Sequence, residues 1–287
     1  MYIADDWQEY EVIDTGEGMK YERWGQVYLL RPDPQVIWPY AEKPRRIDAK
    51  YSRSDKGGGA WEYCRSIPES WHLHWRELTL LVRPMGFKHT GIFPEQAVNW
   101  AWMMDKIRGA GREISVLNLF GYTGAATVAC AAVGAKVCHV DAAKNMVAQG
   151  KENLALSGLA DRPVRWIVDD CQKFVQREIR RGNRYDAIIM DPPSYGRGPG
   201  GEIWKLENEL FAFVQLCAQV LSDQPLFVLI NSYTTGLQPL VIQNILKKNV
   251  VARCSGYAEA AEVALPVTKG GVFLPCGASG RWEARKG

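Results

Sequence analysis

Asp191-Pro192-Pro193-Ser194-Tyr195 follows directly on the apolar run Tyr185 to Met190. Proline has no N–H and a fixed φ, so two in succession form a rigid edge that a helix cannot absorb. The carbonyls of that edge and the Asp191 carboxylate are then free to face a planar nitrogenous group, with the Tyr195 ring as a stacking partner. A nucleobase taken out of its stack needs such a pocket; a turn that merely ends a strand is the plainer alternative. Arg197 follows among Gly196, Gly198, Gly200 and Gly201. It offers one cation to a phosphate from a loop able to order over a substrate, or it is an incidental Arg on a crossing loop.

Two earlier runs also end on chemistry. Val116 to Leu119 passes into Phe120-Gly121-Tyr122-Thr123-Gly124, a glycine turn that opens a helical pattern. The glycines allow a tight turn and close approach of a ligand to the backbone. No G-x-x-x-x-G-K-[ST] is present, which argues against a nucleoside-triphosphatase. Asp141 ends the next run, close to the roughly 20-residue interval at which an acid hydrogen-bonds ribose hydroxyls. It would otherwise cap the helix that starts near Lys144. The third run ends in Asp169-Asp170-Cys171, where a carboxylate could accept an adenine amine or, again, cap a helix.

The elements that must position these groups alternate between apolar runs and helical patterns after Glu113. The runs are Ser115 to Leu119, Lys136 to Val140, Val164 to Val168, Tyr185 to Met190 and Pro225 to Ile230, and two extended stretches close the chain, Ala258 to Pro266 and Gly271 to Cys276. That rhythm predicts an α/β fold: a doubly wound, mostly parallel, seven-stranded Rossmann-like sheet with one reversed strand. Ligands of such sheets bind at the carboxyl ends of the strands. Residues 1–86 are expected to form a small β-rich module, suited to substrate or RNA recognition, and residues 87–287 the catalytic domain. The stretch from Lys43 to Arg65 carries seven Lys or Arg against three Asp or Glu, interleaved with Tyr51, Trp61 and Tyr63. Cations and rings in that mixture suit a nucleic-acid strand, although a solvated loop face accounts for them as well.

The chain has 287 residues, 47% hydrophobic and 23% charged, which excludes a disordered or low-complexity scaffold. A net charge of +3 is too small to argue for a polyanion partner by itself. Seven cysteines without a C-x-x-C pair disfavour a disulfide framework and a cysteine-built metal site. No metal is expected. With no long apolar run and no basic leader, the expectation is a cytoplasmic protein without a membrane partner. The oligomeric state is not readable.

VLNLFGYTGAAT (Val116 to Thr127), HVDAAK (His139 to Lys144), VDDCQKF (Val168 to Phe174) and YDAIIMDPPSYGRG (Tyr185 to Gly198) together resemble the motifs of class I S-adenosylmethionine-dependent methyltransferases. Within these, the resemblance is to the family containing the bacterial large-subunit ribosomal RNA methyltransferases of the cytosine-5 type. GFKHTGIFPEQ (Gly86 to Gln96) is similar to the hairpin that precedes the sheet in this family and closes over the cofactor. The resemblance implies S-adenosylmethionine as cofactor, with contacts from Phe93, Gln96, Asn118, Phe120, Gly121, Tyr122, Thr123 and Gly124. Asp141 would serve the ribose, Asp170 and Cys171 the adenine, and Ala142 would also contact the cofactor. Asp191, Pro192, Pro193 and Tyr195 would receive the methyl acceptor, with Arg197 on the substrate.

Cytosine-5 methylation needs a cysteine thiolate to add to the ring. In the family that cysteine follows the fifth strand, where this chain reads Asn231-Ser232-Tyr233-Thr234-Thr235. The expectation is therefore an RNA methyltransferase, with ribosomal RNA as the first candidate, that acts on a base nitrogen without a cysteine nucleophile. The alternatives are a catalytically inactive RNA-binding protein on the same fold and a methyltransferase with a non-RNA substrate. A nicotinamide-dependent oxidoreductase would share the glycine turn and Asp141, but it lacks the third glycine of G-x-G-x-x-G and leaves D-P-P without a use.

Overall fold

Short continuous apolar runs, too short for helices and apolar on both faces, are what a parallel sheet covered on two sides requires. A computed structural model describes residues 1–54, 58–86, 88–197, 203–234 and 236–285, except for the side chain of Arg197. In it these runs become β1 (Ser115–Leu119), β2 (Lys136–Asp141), β3 (Val164–Val168), β4 (Ala187–Met190) and β5 (Phe227–Ser232). The chain ends in β6 (Gly256–Pro266) and β7 (Phe273–Ala284). The sheet order is β3-β2-β1-β4-β5-β7-β6, with the short strand Tyr2–Ile3 beside β6. Neighbours among β1 to β5 are parallel, and β7 runs antiparallel to β5. This is the expected doubly wound sheet with one reversed strand.

The helices are α1 (Ala97–Arg108), α2 (Ala125–Ala132), α3 (Lys144–Leu156), α4 (Cys171–Arg181), α5 (Leu206–Cys217) and α6 (Pro239–Leu246). On one sheet face Leu117, Leu119, Val140, Ile188, Met190, Val228 and Ile230 join α4, α5 and α6 in a single buried cluster. Each fully buried Leu or Ile side chain contributes about 1.5–3 kcal/mol relative to exposure. On the other face Asn118 reaches Thr127 of α2, and the Phe227 ring meets Trp102 of α1 edge-on. The α4 helix stops at Gly182, whose φ of 71° closes the last turn.

The chain divides into two units. One comprises Met1, Asn99–Glu262 and Gly277–Gly287; the other comprises Tyr2–Val98 with Val263–Cys276. In the second, three antiparallel strands, Tyr10–Gly16, Met19–Trp24 and Val27–Pro32, continue through Ala49–Arg53 and Gly59–Tyr63, and Trp71–Trp75 pairs with Leu78–Val82. Glu22, fully buried there, accepts two bonds from Arg31 at 2.6 and 2.7 Å and one from the Tyr10 hydroxyl at 2.8 Å. Burial pushes its carboxyl up, and the Arg31 guanidinium, the Lys20 charge and the Tyr10 hydroxyl together hold it below the usual range.

Candidate active site

The strand order reverses between β1 and β4, which is where a doubly wound sheet opens a ligand crevice. The tips of β1, β2, β3 and β4 lie side by side on this edge and are tied to one another. Asp191 donates its N–H to Leu119 O at 3.4 Å, Gly121 to Val140 O at 3.0 Å and Asp169 to Asp141 O at 3.0 Å.

The turn after β1 is held in an uncommon shape. Phe120 and Tyr122 have φ of 55° and 50°, and Gly124, at φ 79°, precedes α2. Positive φ costs a non-glycine residue of order 1–3 kcal/mol and persists only where the surroundings fix it. Here they do. The Phe120 N–H reaches Cys171 Sγ at 3.3 Å, the Tyr122 N–H reaches Asp141 Oδ2 at 2.8 Å, and Gly124 closes onto Gly121 O at 2.9 Å. Thr123 is buried, and its carbonyl accepts from Asn153 Nδ2 at 2.8 Å.

Asp141 takes a second backbone donor, Ala143, on Oδ1 at 2.8 Å. Each carboxylate oxygen is thus anchored by one N–H while the half-exposed group retains further lone pairs. An acceptor-only group fixed in this way suits the two donors of a ribose diol. Ala142 beside it is exposed. Asn118 faces inward, its Nδ2 donating to Thr127 Oγ1 at 2.9 Å. Asp170 is exposed and accepts from Lys173 N at 2.8 Å, so its carboxylate caps α4. Cys171 is buried beneath the turn, and burial pushes its thiol far up, so it remains protonated and unreactive. Phe93 and Gln96 belong to the N-terminal unit. Gln96 is buried with its N–H on Phe93 O at 3.0 Å, and the Phe93 ring meets His89 edge-on.

After β4, Asp191 is half-exposed, Pro192 is buried, and Pro193 and Tyr195 are exposed, Tyr195 by 50%. Part of the expected carbonyl edge is engaged: the Pro193 carbonyl accepts from Trp204 Nε1 at 2.7 Å and the Ser194 carbonyl from the Leu206 N–H at 3.1 Å. Thr234, after β5, donates from Oγ1 to Ser194 Oγ at 2.7 Å. The side chain of Arg197, residues 198–202 and Thr235 lie outside the described residues, so the expectation of a loop at Gly198, Gly200 and Gly201 falls there.

Sequence reasoning assigned no role to His139, Trp204 or Thr234. His139 is fully buried on β2 with Nδ1 at 2.9 Å from Thr127 Oγ1, and its ring lies 4.7 Å from that of Trp166. Thr127 Oγ1 thus lies within hydrogen-bond reach of both Asn118 Nδ2 and His139 Nδ1. Burial depresses the His139 pKa to about 4, against a smaller opposing effect of the Tyr122 backbone. A lone His inside the apolar run Val137 to Val140 was the signal available for it.

In the N-terminal unit much of the basic stretch is engaged internally. Arg46 and Arg65 pair with Asp48, Arg45 with Glu42, and Arg46 also covers the Tyr28 ring. Tyr51 is buried, and Asp55, Lys56 and Gly57 lie outside the described residues. Among the described residues no group of three His, Cys, Asp or Glu is placed to hold a metal, and no helix is long and apolar enough to cross a membrane.

Comparison with known proteins agrees with this arrangement. The family model described as S-adenosylmethionine-dependent methyltransferase matches residues 47–216. A solved S-adenosylmethionine-dependent methyltransferase from Agrobacterium tumefaciens is 34% identical, with a TM-score of 0.92 over 99% of this chain and 93% of that one. A ribosomal RNA large subunit methyltransferase K/L from Shewanella frigidimarina is 35% identical over 126 residues, 43% of this chain and 17% of the relative. Its counterpart from Shewanella sp. W3-18-1 is 28% identical over 170 residues, 58% of this chain and 23% of that one. The chain therefore spans less than a quarter of the length of these curated relatives. They also correct the resemblance in one respect, because the large-subunit enzymes it matches carry the K/L name and not that of the cytosine-5 type. The family match leaves the nicotinamide alternative without support: this chain belongs to the S-adenosylmethionine-dependent methyltransferases, and S-adenosylmethionine is its cofactor.

Proposed function

We propose that the chain methylates RNA, ribosomal RNA first among the candidates, at a base nitrogen and without a cysteine nucleophile. The observation that carries this reading is the Asp191-to-Tyr195 edge at the end of β4, beside the turn after β1, with no cysteine among residues 231–235 at the end of β5 and Cys171 buried and protonated. The names of the large-subunit relatives support RNA as the substrate class.

Bound S-adenosylmethionine supplies an electrophilic methyl group. The protein's task is to align a lone pair with it and exclude water. On this reading the turn Phe120 to Gly124 receives the methionine end, Asp141 accepts the ribose hydroxyls, and the α4 N-terminus at Asp170 and Cys171 borders the adenine. Asp191 orients the acceptor nitrogen and takes its proton, Pro192 offers a carbonyl to the same amine, and Tyr195 stacks on the base. In the N-terminal unit a cleft of about 670 Å³, lined by Arg23, Arg46, Arg65, His72 and His74 with Glu9 and Asp48 between them, is the surface proposed for the RNA backbone. Its cations would make affinity fall with salt.

The test is mass spectrometry of nucleosides from total RNA, taken from cells lacking the protein and incubated with it and deuterated methyl donor. One deuterium-labelled N-methylated nucleoside is expected. Label on carbon 5 of cytosine would overturn the nitrogen assignment, and label in a protein or small molecule but not in RNA would overturn the substrate class.

A further inference from the structure

Beyond Tyr195 the backbone turns back in a short antiparallel pair, Tyr195–Arg197 with Ile203–Lys205. Trp204 on its second arm touches both halves of the site. Its Nε1 donates to the Pro193 carbonyl at 2.7 Å. Its ring centre is 5.8 Å from that of Phe120 and 5.7 Å from that of Phe213, and the last two rings are themselves 5.5 Å apart. Phe120 is the residue held at φ 55° just after β1. A second brace comes from β5, where Thr234 Oγ1 meets Ser194 Oγ at 2.7 Å.

An edge of two prolines has no amide with which to anchor itself. Its position must be set through its carbonyls and its neighbours, and an indole N–H is a donor with no competing acceptor role. We propose that Trp204 is a positioning residue for methyl transfer: through Pro193 it fixes the Asp191-to-Tyr195 edge at a set distance from the turn at Phe120, so that acceptor and methyl group meet in line. This rests on the reading of that edge as the acceptor site. Trp204 contacts neither reacting atom. Its effect is geometric, and a displacement of ~1 Å in such a transfer costs on the order of 10²-fold in rate.

Trp204→Phe keeps an aromatic ring beside Phe120 and Phe213 while removing the N–H together with part of the indole; Thr234→Val removes the second brace at nearly constant volume. Each would be compared with wild type and Asp191→Ala in three measurements. These are label transfer from tritiated S-adenosylmethionine to total RNA, calorimetric titration with S-adenosylhomocysteine, and hydrogen exchange of the Asp191-to-Gly196 peptide. For Trp204→Phe we expect transfer at saturating cofactor to fall at least ~10-fold and peptide exchange to quicken, with cofactor affinity held within about twofold. The double variant should lose less than the product of the single losses, since both braces hold one edge.

Unchanged transfer and exchange in Trp204→Phe, with Asp191→Ala inactive, would overturn the role of Trp204 and leave the acceptor site standing. Affinity falling in step with rate would reduce Trp204 to a core residue. Full activity in Asp191→Ala would overturn the acceptor reading, and this role with it. If wild type labels no RNA, the RNA reading fails, and the exchange measurement alone decides whether Trp204 holds the edge.

Discussion

Asp141 at the end of β2 accepts the N–H of Tyr122 at 2.8 Å, so the acid of one strand holds the left-handed turn of its neighbour. The same carboxylate is the proposed ribose ligand, and the two tasks are separable. Asp141→Ala should cost at least ~10-fold in S-adenosylhomocysteine affinity, because it removes two charge-assisted bonds worth about 1.5–3 kcal/mol each as well as the ligand contact. Asp141→Asn retains one acceptor and should fall between alanine and wild type. Unaltered affinity in the alanine variant, by calorimetry, would remove Asp141 from the cofactor site.

Gly121 is required by what lies beneath it. A Cβ there would meet the His139 ring at 2.3 to 2.9 Å, and that ring is buried against Trp166. Gly121→Ala should therefore cost about 1–3 kcal/mol, the usual range for overpacking, and weaken cofactor binding by displacing the turn. Chemical denaturation and cofactor titration of the same variant check both; normal values would mean that the imidazole can move aside.

His139 also links stability to pH. Its folded pKa of about 4 lies below the value of about 6.5 for a free imidazole. Between those values the unfolded chain binds a proton that the folded chain does not, so stability is intact above pH ~6.5 and drains away as pH falls toward 4, by up to about 3 kcal/mol. His89 shifts in the same direction in the other unit, so wild type should show both losses. His139→Gln should lose less stability than wild type between pH 7.5 and 5.0, as read from thermal midpoints. An equal loss would show that His139 does not titrate as placed.

Asp191→Ala should lower methyl transfer by ~10²-fold or more, as expected for lost positioning or proton transfer. Folding and cofactor affinity should survive, since the backbone there is fixed by Pro192 and Pro193. Asp191→Asn separates the two effects. Activity in Asn but not in Ala indicates orientation, whereas equal loss indicates proton acceptance.

Cys171→Ala should leave methyl transfer within a few-fold of wild type, because a buried protonated thiol is no nucleophile. RNA carrying 5-fluorocytidine should form no covalent adduct with the protein. A trapped adduct on gel electrophoresis would restore the cysteine mechanism.

The sheet was legible because a strand buried on both faces reads as an unbroken apolar run, as Ile188 to Met190 and Phe227 to Ile230 do. The last strand was legible only to Cys276. Beyond it β7 continues with Ser279 and Arg281, buried polar residues whose partners Asn231 and Asn99 are distant in sequence. Helix α1 escaped notice although Trp100, Met103, Met104 and Ile107 carry a helical spacing, because the aromatic segments before it read as β. In the site, the carboxylates stood out by their position at strand ends. The Trp204 and Pro193 contact did not, since a side chain meeting a carbonyl across a loop leaves no periodic trace.

The second unit borrows Val263–Cys276 from the far end of the chain, and these residues are bonded into it: Ala4 N–H to Ala264 O, Thr268 N–H to Val12 O and Lys269 N–H to Ile13 O, at 2.9 to 3.0 Å. During synthesis an N-terminal unit usually folds first, as it leaves the ribosome. Here residues 2–98 emerge without residues 263–276 and cannot be completed until residues 99–262 have also been made. The earlier part of this unit waits on the sheet encoded between its two pieces, so a gene cassette carrying residues 2–98 alone would deliver a unit that lacks strands bonded into it.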